Sequence, residues 1–273
     1  MDVIKNKRIA FVHVSMLNDP FDPYFFFETD FEESYQNLIR FVRRNHPEEI
    51  SRFRGRVTPK NWLQTVRELK EYMQTLRRTT FLLSASASLS GRHPKDNLYM
   101  WGHYANGHRG LAIEFETEVL ASTVLEHHEA ANGVPSNETN VWAKIIYSKT
   151  FNPISAKWAY EFLKQEVNRQ TKKTAVTHYA QLDRHFERML TIKSDVWESE
   201  NEWRLMWQNS ETNEKVYKLP IGVDTITSIF LGLSLAPEQA EELIAAARKN
   251  FPAASIFRAH KRHGDLALEF RQL

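Results

Sequence analysis

Two carboxylates and a guanidinium stand at alternate positions in Trp197-Glu198-Ser199-Glu200-Asn201-Glu202-Trp203-Arg204. On a strand, residues two apart share a face. Glu200, Glu202 and Arg204 would then line one side, with Trp203 and Leu205 on the other. Two acids brought together in a partly buried place repel, and one of them holds its proton more tightly. Arg204 could keep one acid ionised and leave the other for a ligand hydroxyl or a reacting group. The alternative is a solvent-facing strand with an ordinary ion pair.

A second group is Met100-Trp101-Gly102-His103-Tyr104-Ala105-Asn106-Gly107-His108-Arg109-Gly110. His103 could carry a proton, and Trp101 or Tyr104 could stack on a flat ring. Core aromatics around a satisfied histidine would look the same. In Asn18-Asp19-Pro20-Phe21-Asp22, the two acids could bind a metal or a ribose, or Asn and Asp could hold a rigid turn. In Ser84-Ala85-Ser86-Ala87-Ser88-Leu89-Ser90, small hydroxyl residues would let a ligand approach the backbone closely. A tightly packed strand is the plainer reading.

Other chemistries are absent from the sequence. There is no Gly-rich phosphate loop, no dinucleotide glycine fingerprint and no His-Glu-x-x-His zinc helix. No Gly-x-Ser-x-Gly elbow is present, which argues against a hydrolase serine. The chain has no cysteine, so disulfides, thiolate metal sites and a cysteine nucleophile are excluded. His103 and His108 are five apart and His127 and His128 are adjacent, both poor metal-ligand spacings on a helix. No metal site is expected.

The elements that must position these groups follow from periodicity. Ile9–Val14, Thr80–Ser88, Leu111–Phe115, Trp142–Ser148, Asn201–Gln208, Lys215–Leu219, Ile226–Leu231, Ser255–His260 and Leu266–Phe270 read as strands. Helices are expected over Glu28–Arg44, from Thr58-Pro59 to Leu76, over Asp96–Ala105, Thr117–Ala130 and Pro237–Asn250. Thr58-Pro59 is a capping residue followed by proline at the first helical position. A long helical pattern without Gly or Pro runs over Ser155–Leu190.

Regular βαβ alternation is absent, so the expected class is α+β, a single domain over residues 1–273. A central, mostly antiparallel sheet would be flanked by helices, with a helical insertion at about 152–192. The 273 residues are 42% hydrophobic, enough for a sizeable core. No apolar run reaches membrane-spanning length and the first residues lack a secretory pattern, which points to a cytoplasmic protein with no membrane partner. The net charge is only +2, but it is unevenly spread. Between Arg40 and Arg78, eleven basic side chains stand against four acids. Such a region could attract nucleic-acid phosphates, or it could be a solvated helical face.

Three segments occurring in this order carry a resemblance: Asn18-Asp19-Pro20-Phe21-Asp22, then Met100-Trp101-Gly102-His103-Tyr104-Ala105 with His108 and Gly110, then Trp197-x-x-Glu200-x-Glu202-Trp203-Arg204. Together, from about Ile4 to about Gly232, they resemble an uncharacterised bacterial domain-of-unknown-function family, itself distantly similar to ADP-ribosyltransferases. That likeness implies NAD as substrate and a macromolecular acceptor, in a toxin or phage-defence setting. It implies Glu202 or Glu200 as the catalytic acid, with Arg204 beside them. It also implies cofactor contacts from Ser86, Ser88, Trp101, His103, Tyr104, Asn18 and Asp19. Members are expected to carry an earlier strand that holds the adenosine side of NAD, and this chain starts after it. The rival expectations are a nucleic-acid-binding or metal-dependent nucleic-acid-processing protein, with Asp19, Asp22, Glu200 and Glu202 as the metal ligands in the metal-dependent case, and a non-catalytic interaction module.

Overall fold

A computed structural model describes residues 2–22, 31–53, 58–132, 142–150, 160–164, 186–208 and 213–273. Most of the expected Ser155–Leu190 helix, together with Arg54, Arg56 and the 133–141 loop, lies outside the described residues. The chain divides into two compact units. The first comprises residues 1–16, 81–145 and 196–273, and the second comprises 17–80 and 146–195.

In chain order, the described elements are α1 (Asp2–Asn6), β1 (Arg8–His13), α2 (Phe31–Asn45), α3 (Ile50–Phe53), α4 (Pro59–Thr79), β2 (Thr80–Ser86), α5 (Leu98–His103), β3 (Leu111–Phe115), α6 (Thr117–Asn132), β4 (Trp142–Lys144), β5 (Ile146–Ser148), β6 (Ile192–Ser194), β7 (Glu202–Gln208), β8 (Val216–Pro220), β9 (Ile226–Leu231), α7 (Pro237–Asn250), β10 (Ser255–Lys261) and β11 (Leu268–Gln272). The class is α+β and its pairing is mostly antiparallel.

The first unit is built on two sheets. One runs β4-β7-β2-β1-β8 and the other β11-β10-β9-β3. β1 places Ile9, Phe11 and His13 on one buried face, as its alternating sequence requires. β1 pairs antiparallel with β2 (Val12 opposite Leu82) and with β8 (Phe11 opposite Tyr217). In the other sheet β9 and β10 are parallel, and α7 is the crossover between them. A common core joins both sheets to α7, through Phe11, Phe81, Trp207 and Leu219 on one side and Ile229, Leu231, Leu243 and Phe251 on the other.

The second unit is mainly helical. α2 and α4 bury Leu38, Val42 and Trp62 in a cluster with Tyr160 and Leu163. Tyr160 donates its hydroxyl to Glu49 and stacks on His46 at 4.6 Å. A short parallel pair, β5 with β6, completes it.

Several expected strands differ from the fold: β2 ends at Ser86 rather than Ser88, the last strand is Leu268–Gln272 rather than Leu266–Phe270, and two differences bear on the site. Trp142–Ser148 is two strands rather than one. Ile145 donates its amide to Glu202 O, and Ile146 donates to Thr191 O, so the chain changes partners between consecutive residues. Asn201–Gln208 begins one residue later, at Glu202, and is preceded by a 3-10 turn over Asp195–Glu200. Asn201 has φ +42, a left-handed conformation that Asn tolerates better than most residues. The alternation expected of Glu200, Glu202 and Arg204 is therefore broken at Asn201.

Candidate active site

β7 gives Glu202 and Arg204 one face, and that face is interior. Arg204 is fully buried and Glu202 is 4% exposed. Arg204 Nε donates to Glu202 Oε1 at 2.7 Å, and its Nη2 to Oε2 at 3.2 Å. This is a forked charge-assisted pair using both carboxylate oxygens. A buried pair of this kind is costly to break from one side, because the remaining charge loses its partner where water cannot reach it.

Glu200 is also 4% exposed but has different surroundings. It closes the 3-10 turn, and Tyr104 donates its hydroxyl to Glu200 Oε1 at 2.5 Å. Tyr104 is half exposed, so this buried carboxylate is capped by a phenol that itself reaches the surface, whereas Glu202 faces an internal guanidinium. Around Tyr104 lie further rings. His103 is exposed, 4.5 Å from Tyr99, 6.1 Å from Tyr104 and 6.2 Å edge-on from Trp197.

Two asparagines hold this arrangement, and neither stood out as a site residue in the sequence. Asn97 caps α5 by accepting from Tyr99 N at 3.1 Å, and its Nδ2 donates to Ser199 O at 2.8 Å. It thereby ties the aromatic helix to the acidic turn. Asn201 Nδ2 donates to Ala87 O and Ser88 O, each at 3.0 Å, while Ala87 N donates to Asn201 O at 3.1 Å. The Ser84–Ser88 segment is fixed in this way beside Glu200 and Glu202. The available signals were an Asn immediately before a helix start and an Asn between two acids.

The remaining expected residues fall as follows. Ser86 ends β2 half-buried, and Ser88 is exposed just beyond it. Trp101 is 2% exposed, donates Nε1–H to Lys95 O at 2.6 Å, and stacks on His108 and Phe270 at 6.1 Å each. It packs with Phe230, Ala259 and Leu268 in the core of the β11-β10-β9-β3 sheet. Asn18 and Asp19 belong to the second unit, where Asp19 Oδ1 accepts from Phe21 N at 2.9 Å and Asp19 O accepts from Asp22 N at 3.0 Å. That is the local turn bonding expected of Asp. Among the described residues, no three His, Asp or Glu side chains are gathered as metal ligands would be.

The end of α5 explains its glycines. Asn106, Gly107 and His108 all have positive φ, and Gly110 N donates to Ala105 O at 2.8 Å. The loop then meets the segment just after β9, where Gly232 N donates to Gly110 O and Ser234 N to His108 O, both at 2.9 Å. A Cβ at Gly232 would overlap the His108 carbonyl and lie 2.7 Å from Gly110 O. Just before α5, His93 Nε2 lies 3.1 Å from Glu114 Oε1. Partial burial opposes ionisation of Glu114, but hydrogen bonds from Ser228 and His93 outweigh it and hold its pKa below the usual value.

Residues 100–205 match DUF2971, a family described as a protein of unknown function. The DUF2971 segment opens on Met100 and ends at Leu205, so it contains both the α5 aromatics and the Glu200–Arg204 group. The resemblance to an uncharacterised family is thus met over this stretch, while Asn18-Asp19 and Ser84–Ser88 lie outside it. Comparison with curated proteins and with solved structures gives no match.

Proposed function

We propose that the Glu200 site transfers ADP-ribose from NAD to a macromolecular acceptor. The observation that carries the proposal is a buried carboxylate hydrogen-bonded to a half-exposed phenol among further rings, beside a second carboxylate locked to arginine. Glu200 with Tyr104 offers a hydrogen-bonding pair for a ribose hydroxyl, and His103, Tyr99 and Trp197 offer faces for a planar ring. In the reaction, the bond between the ribose C1′ and the nicotinamide nitrogen breaks, and its electron pair leaves with neutral nicotinamide. Positive charge develops at C1′, and a nearby carboxylate stabilises it. An acceptor lone pair then bonds to C1′, and the acceptor proton passes to Glu200 or to water.

The surroundings favour Glu200 as the acid and Glu202 as the support that orders the strand. The assay is release of free nicotinamide from NAD by purified protein. Glu200→Gln is expected to lower turnover at least 100-fold, and Tyr104→Phe about 10-fold, with folding retained in both. Turnover unchanged in Glu200→Gln, or no NAD consumption by the parent protein with candidate acceptors present, would sink this reading.

A further inference from the structure

The longest described helix of the second unit, α4, runs from Pro59 to Thr79 and divides sharply by residue type. Of its large apolar side chains, Trp62, Leu69, Met73 and Leu76 are buried, and Leu63, Val66 and Tyr72 are half-buried. Lys60, Arg67, Lys70, Arg77 and Arg78 are all exposed. At about 100° per residue these five fall within an arc of roughly 100° on the side away from the buried stripe. From Lys60 to Arg78 the rise of about 1.5 Å per residue gives a row roughly 27 Å long. Only Glu68 and Glu71 stand on the same helix as acids, and Gln64 Nε2 donates to Glu68 at 2.9 Å. Lys60, Arg67 and Arg77 meet no carboxylate among the described residues.

We propose that this face of α4 binds the phosphodiester backbone of a nucleic acid. Five exposed cations on one side of a helix, against two acids on the whole helix and with three of the five meeting no carboxylate among the described residues, present a concentration of positive charge. A polyanion with regularly spaced phosphates complements it by releasing its counterions on contact. Helices that lie on membranes pair a basic face with exposed apolar anchors that enter the lipid. No large apolar residue of α4 is fully exposed, and four of them are buried, so a membrane surface fits less well. The row carries no base-reading pattern, so binding is expected to be insensitive to sequence.

The proposal goes beyond the transfer chemistry and is measured without NAD, so either can fail while the other stands. The experiment is fluorescence anisotropy with labelled 20-nucleotide single-stranded RNA, single-stranded DNA and duplex DNA, at 50 and 200 mM salt. If most of the five cations touch phosphates, affinity should fall about 100-fold for single strands over that range. The triple variant Arg67→Glu, Lys70→Glu, Arg77→Glu should weaken binding at least 30-fold. A matched triple on the first unit, Arg248→Glu, Lys249→Glu, Lys261→Glu, changes net charge equally and should weaken it less than threefold. Circular dichroism of each variant verifies that the helices remain. The proposal is overturned if both triples weaken binding alike, if all three nucleic acids fail to bind, or if only vesicles containing anionic lipid or an acidic polypeptide bind.

Discussion

Glu200 and Glu202 are two residues apart, yet one meets a phenol and the other a buried guanidinium. Substitution should therefore separate their roles. Glu202→Ala would leave Arg204, which is fully buried, without its forked partner. The expected loss is about 3–5 kcal/mol, the range found when one member of a buried pair is removed. Replacing both members by apolar residues, Glu202→Leu with Arg204→Met, should recover most of that loss, because neither member of the pair is left buried without the other. Glu200→Gln keeps an acceptor for Tyr104 and should cost less than about 1 kcal/mol. Urea denaturation of the four proteins measures this. Equal destabilisation by Glu202→Ala and Glu200→Gln would contradict the division drawn between them.

Some elements were plain in the sequence because local pattern and tertiary demand agree. β3, β9 and α7 carry the boundaries expected from their periodicity and, for α7, from proline at the first helical position. The acidic group was legible as a site candidate but not in its shape. Alternation in Glu200-Asn201-Glu202-Trp203-Arg204 imitates a strand, and only the left-handed Asn201, anchored to Ala87 and Ser88, shows where the strand begins. That anchor joins residues more than a hundred positions apart, which periodicity does not register. The break at Ile145 is hidden for the same reason, since consecutive amides bond to Glu202 and Thr191. Trp101 read equally as a stacking ring or as core, and burial against Phe230 and Leu268 gives it the second place. Gly232 tests how far the α5 loop depends on the segment just after β9. Gly232→Ala would push a methyl into the His108 and Gly110 carbonyls, which are backbone and cannot swing aside. A cost of about 1–3 kcal/mol is expected from such overpacking. It would be read as a lowered thermal midpoint, and a midpoint within one degree of the parent would show that the loop yields freely.

One of the two sheets of the first unit takes an interior strand from the first residues of the chain. β1, at residues 8–13, lies between β2 and β8 in the order β4-β7-β2-β1-β8, so its partners come from sequence positions near 80 and near 220. The site strand β7 is next to β2, which is next to β1. β1 also brings Ile9 and Phe11 into the common core with Trp207 and Leu219. An interior strand differs from an edge strand in that its loss uncovers backbone donors and acceptors on both neighbours as well as apolar side chains. Removing residues 1–14 should therefore unfold the first unit and not merely shorten it. The expected result is loss of the cooperative thermal transition together with any NAD turnover. Glu200→Gln, by contrast, should lose turnover with the transition intact. A deletion that melts cooperatively near the parent temperature would show that β8 can close on β2 without β1, and would remove the basis for treating the first strand as part of the frame that holds Glu200.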